Sequence, residues 1–145
     1  MSDRDDWVAK AAISELITRY AALNDAGDWA AVAALYTDDG RMNRPTAPDD
    51  FVVGREAILA AFKARPARAA RHVVANILVT LENPTEASAS SQILLFTGAD
   101  AHDGGLPLQS VSPPLVGTYE DRLVRDTSGW RFLERRGRLD FRRPD

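Results

Sequence analysis

The chain has 145 residues, of which 45% are hydrophobic and 27% are charged, so length and composition predict one globular domain with a single core. Its net charge of −3 disfavours binding to nucleic acid or to an anionic membrane surface, and no apolar run reaches the ~20 residues that a bilayer span requires. The acidic start, MSDRDDW, lacks the features of a secretion signal, so we expect a cytoplasmic protein. The absence of cysteine excludes disulfides, thiolate metal sites and cysteine nucleophiles.

Three helices are predicted in the first half of the chain. Residues 5–24 form the first, because apolar side chains recur there at three- and four-residue spacing: Ile13, Leu16, Ile17 and Tyr20. A short second helix is expected after a break at residues 25–28, and a third over residues 55–63. The segments between them predict a turn at residues 37–40, a short strand at 41–44 and a loop at 45–50.

From residue 71 the spacing of apolar side chains changes to two, which indicates strands. We predict four long strands, over residues 71–81, 87–97, 115–125 and 130–141, with a glycine- and proline-rich loop at 98–114. The face of the first strand that carries His72 is mixed, whereas the opposite face is wholly apolar: Val73, Ala75, Ile77, Val79 and Leu81. Helices followed by antiparallel strands predict an α+β fold, in which three N-terminal helices pack on a curved, mainly antiparallel sheet. Together they form a cone-shaped α+β barrel with a pocket at its open end.

Asp25 and His72 are the strongest candidates for chemistry. A carboxylate that orients an imidazole makes a general base that works near neutral pH. Asp25 follows the first helix and His72 begins the first long strand. Asp28 is better placed to cap the second helix, which leaves Asp25 available to face the pocket. The alternatives are that Asp25 is itself a helix cap and that His72 is a surface or backbone-bonded strand residue.

Five further residues are candidates for substrate binding. Asn24 and Tyr20 lie at the end of the apolar face of the first helix, and Asn76 lies four residues beyond His72. Tyr119 and Asp121 share one face of the third long strand, where a carboxylate inside an apolar cone would have a raised pKa and act as an acid. Core packing, helix capping or an edge charge are the alternative explanations of these residues.

Other kinds of site are disfavoured. The two histidines, His72 and His102, lie thirty positions apart, without the ligand spacing of a metal site, and His102 falls in the long loop where we expect it to be exposed. No nucleophile-elbow or phosphate-cradling glycine motif occurs. The arginines of residues 135–143 alternate with Leu139 and Phe141, which indicates a strand with a solvated face rather than a nucleic-acid surface.

Six short motifs in order resemble the SnoaL-like branch of the nuclear transport factor 2-like superfamily: YAALNDAGDW at 20–29, LYTDDG at 35–40, GREAI at 54–58, RHVVAN at 71–76, GTY at 117–119 and GWRF at 129–132. The resemblance covers nearly the whole chain, as a single SnoaL-like domain over residues 1–145. It is strongest to the group containing scytalone dehydratase and hexachlorocyclohexane dehydrochlorinase. Those enzymes pair an Asp after the first helix with a His that begins the first long strand, and Asp25 and His72 fall on these positions.

The resemblance implies a cofactor-independent lyase or isomerase that abstracts a carbon-bound proton from a small apolar or cyclic substrate. It also implies a homodimer without metal or organic cofactor. Arg125 lies near a position where the dehydrochlorinases carry an arginine, so it is a further candidate for substrate binding. The second catalytic histidine of the dehydratases is missing from QILLFT at residues 92–97, and their tyrosine beside the Asp is replaced by Asn24.

Three other functions remain open at this point. A polyketide-cyclase-like enzyme would use Asp121 as its acid. A non-catalytic module would hold a small hydrophobic ligand in the same cone. A partner subunit would resemble the small subunit of ring-hydroxylating dioxygenases.

Overall fold

The computed structural model describes residues 2–99 and 105–142. These residues form three helices and six strands in the order α1 (Asp3–Ala26), α2 (Trp29–Ala34), β1 (Tyr36–Arg44), β2 (Ala47–Val53), α3 (Arg55–Lys63), β3 (Ala69–Asn83), β4 (Glu86–Gly98), β5 (Leu115–Asp126) and β6 (Gly129–Leu139). The strands make one curled sheet in the order β2-β1-β6-β5-β4-β3. Only β1 and β6 pair in parallel. The predicted α+β architecture, with helices on a curved and mainly antiparallel sheet, is confirmed. His102 lies outside the described residues.

The ends of α1 are set by local hydrogen bonds. Ser2 caps the helix, and its side chain and that of Asp5 form a reciprocal capping box. Gly27 closes the helix in the left-handed conformation, with a φ of 69° that a residue with a side chain adopts at a cost. The side chain of Asp28 then accepts the backbone N–H of Ala31 at 3.2 Å and caps α2. These caps extend α1 by two residues beyond each predicted end.

Two predictions for the segment before α3 are wrong. Residues 37–40, expected as a turn, lie within β1, and most of the expected loop at 45–50 belongs to β2. β1 is held from both sides, because Tyr36 pairs with Phe132 of β6 and Arg41 pairs with Val53 of β2. This segment is polar and does not alternate, so its own sequence gives little strand signal, and the neighbouring strands determine its conformation.

A bulge at Asn76 reverses the side-chain alternation of β3. The φ of Asn76 is 52°, and the register with β4 shifts between Ala75 and Leu78. His72 therefore shares the inward face with apolar residues on both sides of the bulge: Val74, Ile77, Val79 and Leu81. Val73, on the opposite face before the bulge, is 44% exposed. The predicted grouping of His72 with Asn76, Leu78 and Thr80 is wrong, because one inserted residue changes the parity of a period-two pattern.

The core fills one end of the curled sheet. Ile13 and Ile17 of α1 and Phe62 of α3 are fully buried against Phe132 and Leu123. This packing occupies the part of β5 that follows Asp121 and leaves the opposite end of the strand, near Leu115, to border a cavity. Within the described residues, no helix is long and apolar enough to cross a membrane.

Candidate active site

Asp25 and His72 are in direct contact. The Oδ1 atom of Asp25 lies 2.5 Å from Nδ1 of His72, and the two carboxylate oxygens accept the backbone N–H of His72 at 2.9 and 3.0 Å. Both side chains are well buried, with 11% of Asp25 and 8% of His72 exposed. Because Nδ1 is engaged, Nε2 is the ring nitrogen left for a ligand. The structure thus brings together the two residues that the sequence singles out.

The last turn of α1 and the edge strand β3 bring Asp25 and His72 together. Asp25 lies in the last turn of α1, which packs against β3. β3 is an edge strand of the sheet, and no strand among the described residues accepts its outer N–H groups. The carboxylate of Asp25 accepts one of these groups, at His72, and so ties the helix end to the strand. Since Asp28 caps α2, Asp25 is not needed for capping.

His72 lines a cavity of about 110 Å³ between the helices and the sheet. Its apolar walls come mainly from the strands, and its polar groups come from α1, β1, β5 and the α3–β3 connection. The lining residues are Asn24, Arg44, Pro45, Thr46, Arg65, Arg68, His72, Ile93, Leu95, Leu115, Gly117, Tyr119 and Leu139. A cavity with apolar walls and a few converging polar groups is typical of a small-molecule site.

Burial lowers the pKa of His72 from its ordinary value of 6.5. The hydrogen bond and the negative charge of Asp25 oppose this lowering, and the positive charges of Arg68 and Arg65 add to it. The net effect keeps the imidazole neutral at pH 7. A neutral imidazole, held by its Nδ1 hydrogen against a carboxylate, presents an unprotonated Nε2 to the cavity and can accept a proton there.

Two of the predicted binding residues line the cavity and one lies behind it. Asn24 and Tyr119 are in the lining, and burial raises the pKa of the Tyr119 hydroxyl, which keeps it protonated. Tyr20 is buried in the core, where it accepts a hydrogen bond from the Tyr36 hydroxyl at 3.2 Å. Tyr20 therefore lies in the core and is not part of the cavity lining.

Asn76 and Arg125 do not line the cavity, and both lie at exposed positions. Asn76 is exposed at the bulge of β3, where its Nδ2 donates to the Gln92 side chain at 2.7 Å. The bulge is the reason, since it turns this residue outward. Arg125 is exposed near the end of β5, where its strand partner is Trp130. It lies ten residues along the strand from Leu115, which borders the cavity.

Asp121 is engaged in a buried ion pair and does not line the cavity. Two nitrogens of Arg135 donate to its carboxylate oxygens at 2.9 and 3.1 Å, and the two residues face each other across β5 and β6. Burial raises the pKa of Asp121 from 3.8, and Arg135 opposes that rise. The expectation that Asp121 is a cavity acid is wrong, because a buried arginine occupies both of its oxygens.

Sequence reasoning missed four arginines. Arg135 was expected on a solvated face, yet it is 1% exposed and packs against the rings of Tyr20 and Tyr119. Arg65 and Arg68 belong to the short connection between α3 and β3, where no periodic pattern indicates direction. Arg44 ends β1 and reaches the cavity beside them. Within residues 2–99 and 105–142, no group of three or more metal-ligating side chains is arranged to hold a metal ion.

The fold and the site define the class of protein: a cone-shaped α+β domain with a small cavity beside a carboxylate–imidazole pair. Residues 6–136 match the model of the SnoaL-like domain, and the chain belongs to this family. The match covers all three helices except the first three residues of α1, and it includes Asp25 and His72. Among curated proteins, none matches this chain.

Solved structures share this fold. A Novosphingobium aromaticivorans protein provisionally described as a scytalone dehydratase is 21% identical, with a TM-score of 0.79 over 97% of this chain and 89% of its own. A type 2 hexachlorocyclohexane dehydrochlorinase is 17% identical, with a TM-score of 0.79 over 97% of this chain and 90% of its own. An NTF2-like protein with a cystatin-like fold, also from Novosphingobium aromaticivorans, is 25% identical, with a TM-score of 0.76 over 92% of this chain and 83% of its own. These similarities identify the nuclear transport factor 2-like fold.

Proposed function

We propose that this protein is a cofactor-independent lyase or isomerase, in which His72 removes a carbon-bound proton from a small substrate in the cavity. The observation that carries the proposal is the contact of Asp25 with Nδ1 of His72 at the wall of a cavity. Two solved structures of the same fold have names that refer to elimination enzymes, a scytalone dehydratase and a hexachlorocyclohexane dehydrochlorinase. That agreement supports this class of reaction.

The proton transfer follows from the roles of the two side chains. Asp25 accepts the Nδ1 hydrogen and so directs the lone pair of Nε2 into the cavity. Nε2 takes a proton from a substrate carbon, and the electron pair of the broken C–H bond forms a carbon–carbon double bond. In an elimination, the leaving group departs from the adjacent carbon with its bonding pair, and the imidazolium later returns its proton to that group or to water. In an isomerisation, the new double bond displaces the electron pair of a double bond already present in the substrate, and the imidazolium returns its proton to the carbon that receives this pair.

Neighbouring groups stabilise the charges that this step creates. The carboxylate of Asp25 faces the imidazolium, which carries a positive charge after the transfer. Tyr119 stays protonated because burial raises its pKa, so its hydroxyl can donate a hydrogen bond to a substrate oxygen. Asn24, which also lines the cavity, offers amide hydrogens. The apolar strand residues exclude water and leave room for a small or cyclic hydrocarbon body.

We also propose a homodimer formed through the outer face of β3 and β4. This face exposes large apolar side chains, with Val73 at 44%, Leu78 at 70% and Phe96 at 41% exposed. Contiguous exposed apolar side chains on a sheet are typical of an association surface. The face lies opposite the cavity, so association leaves the cavity open to substrate.

The test of the catalytic proposal is a turnover screen with matched histidine variants. The wild type and the variants His72→Asn and His102→Asn are incubated with small cyclic alcohols, ketones and halides, and products are followed by mass spectrometry. Loss of a general base lowers turnover by about 10²–10⁴-fold, so we expect His72→Asn to be inactive on a substrate that the wild type and His102→Asn convert. Equal turnover by the wild type and His72→Asn overturns the proposal. Ligand binding without turnover of any bound compound favours a binding module.

A further inference from the structure

We infer that the cavity takes a substrate with a carboxylate group, which the guanidinium groups of Arg44, Arg65 and Arg68 hold while a nearby carbon faces His72. This inference rests on the proposed function, because it names the class of substrate for the same site. It comes from the charges of the cavity wall, which are uncompensated, and from one buried donor that lacks a partner.

The cavity wall carries three positive charges and no available negative one. Arg44, Arg65 and Arg68 are all in its lining, which includes no Asp or Glu. Among residues 2–99 and 105–142, none of the ion pairs involves any of these three arginines. Asp25, the carboxylate nearest in the site, is committed to the backbone N–H and the ring of His72. The arginines consequently repel one another, and burial with the charge of Arg44 lowers the pKa of Arg65.

Arg65 also holds a buried donor without a partner. Its Nε atom is buried and makes no hydrogen bond. Its guanidinium lies over the ring of Phe62, with 4.2 Å between the Cζ atom and the ring centroid, and this stacking fixes the plane of the donors. Arg44 is anchored by one hydrogen bond, which its guanidinium donates to the carbonyl of Ala61 at 3.0 Å. Arg44 and Arg65 are therefore held in place at the cavity, and N–H groups of their guanidinium groups remain available to donate to a ligand.

Arg135, by contrast, forms an ion pair with a carboxylate of the same chain. Arg135 is 1% exposed, and its guanidinium is fully matched by the two oxygens of Asp121. A fully matched pair is the normal way to bury an arginine, because an unpaired buried charge is costly. The cavity arginines are less buried than Arg135: Arg44 and Arg65 are partly buried and Arg68 is exposed. None of the three has a carboxylate partner within the described chain. A negatively charged ligand would supply it.

The geometry of a guanidinium favours a carboxylate as that ligand. Its Nε–H and one Nη–H point in parallel and match the two oxygens of a planar carboxylate. The remaining walls are apolar, with Ile93, Leu95 and Leu115 among them, and suit a hydrocarbon body attached to the acid. Since His72 lines the same cavity, an acid held by the arginines places its hydrocarbon part beside the imidazole.

Binding of small acids and of their uncharged amides tests the inference without turnover. Benzoate and crotonate are titrated against benzamide and crotonamide, and inorganic phosphate is a separate arm. The readout is the ¹⁵N–¹H NMR signal of the arginine Nε–H groups, assigned by substitution. We expect at least one of the two acids to bind at least tenfold more tightly than its amide and to shift the Arg65 Nε–H signal. Equal binding of acid and amide, binding of neither acid, or phosphate binding as tight as the acid overturns the inference.

Two arginine variants and one histidine variant complete the design. Arg65→Gln should weaken acid binding at least tenfold, whereas Arg71→Gln, at an exposed neighbour of His72 outside the cavity lining, should leave it unchanged. Equal losses in both variants contradict a specific role of Arg65. His72→Asn should keep the preference for acid over amide and lose turnover. If His72→Asn keeps both the preference for acid and the turnover, the proposed function fails and the carboxylate site stands. If acid and amide bind alike while turnover needs His72, the carboxylate site fails and the proposed function stands.

Discussion

Replacing Asp25 by asparagine is the most informative single change in this protein. The carboxylate makes two kinds of contact with His72: it accepts the backbone N–H at 2.9 and 3.0 Å, and it lies 2.5 Å from Nδ1. In Asp25→Asn, the amide oxygen can still accept the backbone N–H. The amide NH₂ group is a donor and cannot accept the Nδ1 hydrogen. The change therefore removes the acceptor of the Nδ1 hydrogen and preserves the link between α1 and β3.

The magnitude follows from the contact that is lost. A hydrogen bond to a charged group contributes about 1.5–3 kcal/mol. Because about 1.4 kcal/mol corresponds to a factor of ten in rate, loss of this bond to the forming imidazolium lowers kcat/KM by roughly 10–150-fold. The amide NH₂ also favours the tautomer that carries its hydrogen on Nε2, which cannot accept a substrate proton. That effect adds to the loss, and in serine proteases a wrong tautomer alone costs ~10⁴ in kcat.

The assay combines kinetics with ¹⁵N NMR of His72, which distinguishes the two ring nitrogens. We expect Asp25→Asn to lower kcat/KM by at least tenfold and to move the ring hydrogen from Nδ1 to Nε2. Asp28→Asn is the matched control, because Asp28 only caps α2 and asparagine caps a helix equally well. If Asp25→Asn keeps both the rate and the tautomer of the wild type, Asp25 does not orient a base and the reasoning is refuted.

Three further predictions concern pH, stability and assembly. Burial lowers the pKa of His72 below 6.5, so the reactive neutral form of the imidazole persists to lower pH. We therefore expect kcat/KM to be constant near pH 7 and to fall only as the pH drops through that lowered pKa. An acidic limb of the pH profile centred above 6.5 contradicts this prediction. Asp121→Asn leaves the buried charge of Arg135 unpaired and should lower the free energy of unfolding, measured in urea, by about 3–5 kcal/mol. Glu120→Gln changes an exposed neighbouring residue and should alter this free energy by at most about 0.5 kcal/mol. Leu78→Glu places a charge on the exposed face of β3 and should convert a wild-type dimer into a monomer in analytical ultracentrifugation; a monomeric wild type disproves the dimer.

The sequence was sufficient to predict the positions of Asp25 and His72, because the local signals around them agree with the fold. The apolar face of α1 and the caps around residues 25–28 locate Asp25 at the helix end, since Gly27 stops the helix and Asp28 starts the next one. The period-two pattern after residue 71 locates His72 at the start of a strand. The α+β order then allows the helix end and the strand start to meet.

The sequence was insufficient where a contact between distant residues decides the structure. The bulge at Asn76 leaves no mark in the apolar pattern, so the residues beyond it that share the face of His72 were predicted incorrectly. The direction of Arg65 depends on its stacking over Phe62, in a connection without periodicity. Arg135 lies in a strand with an alternating pattern. An arginine is buried there because Asp121 lies directly across from it on the neighbouring strand, which the pattern of a single strand does not reveal.

The central claim is that Nε2 of His72 accepts a proton from carbon, and exchange of substrate hydrogen in D₂O measures this step most directly. In ¹H NMR, we expect the wild type to replace or remove one carbon-bound hydrogen of a bound substrate, and His72→Asn to do so no faster than buffer. Exchange at the wild-type rate in His72→Asn, or a fully bound substrate whose carbon-bound hydrogens never exchange or leave in the wild type, contradicts the claim.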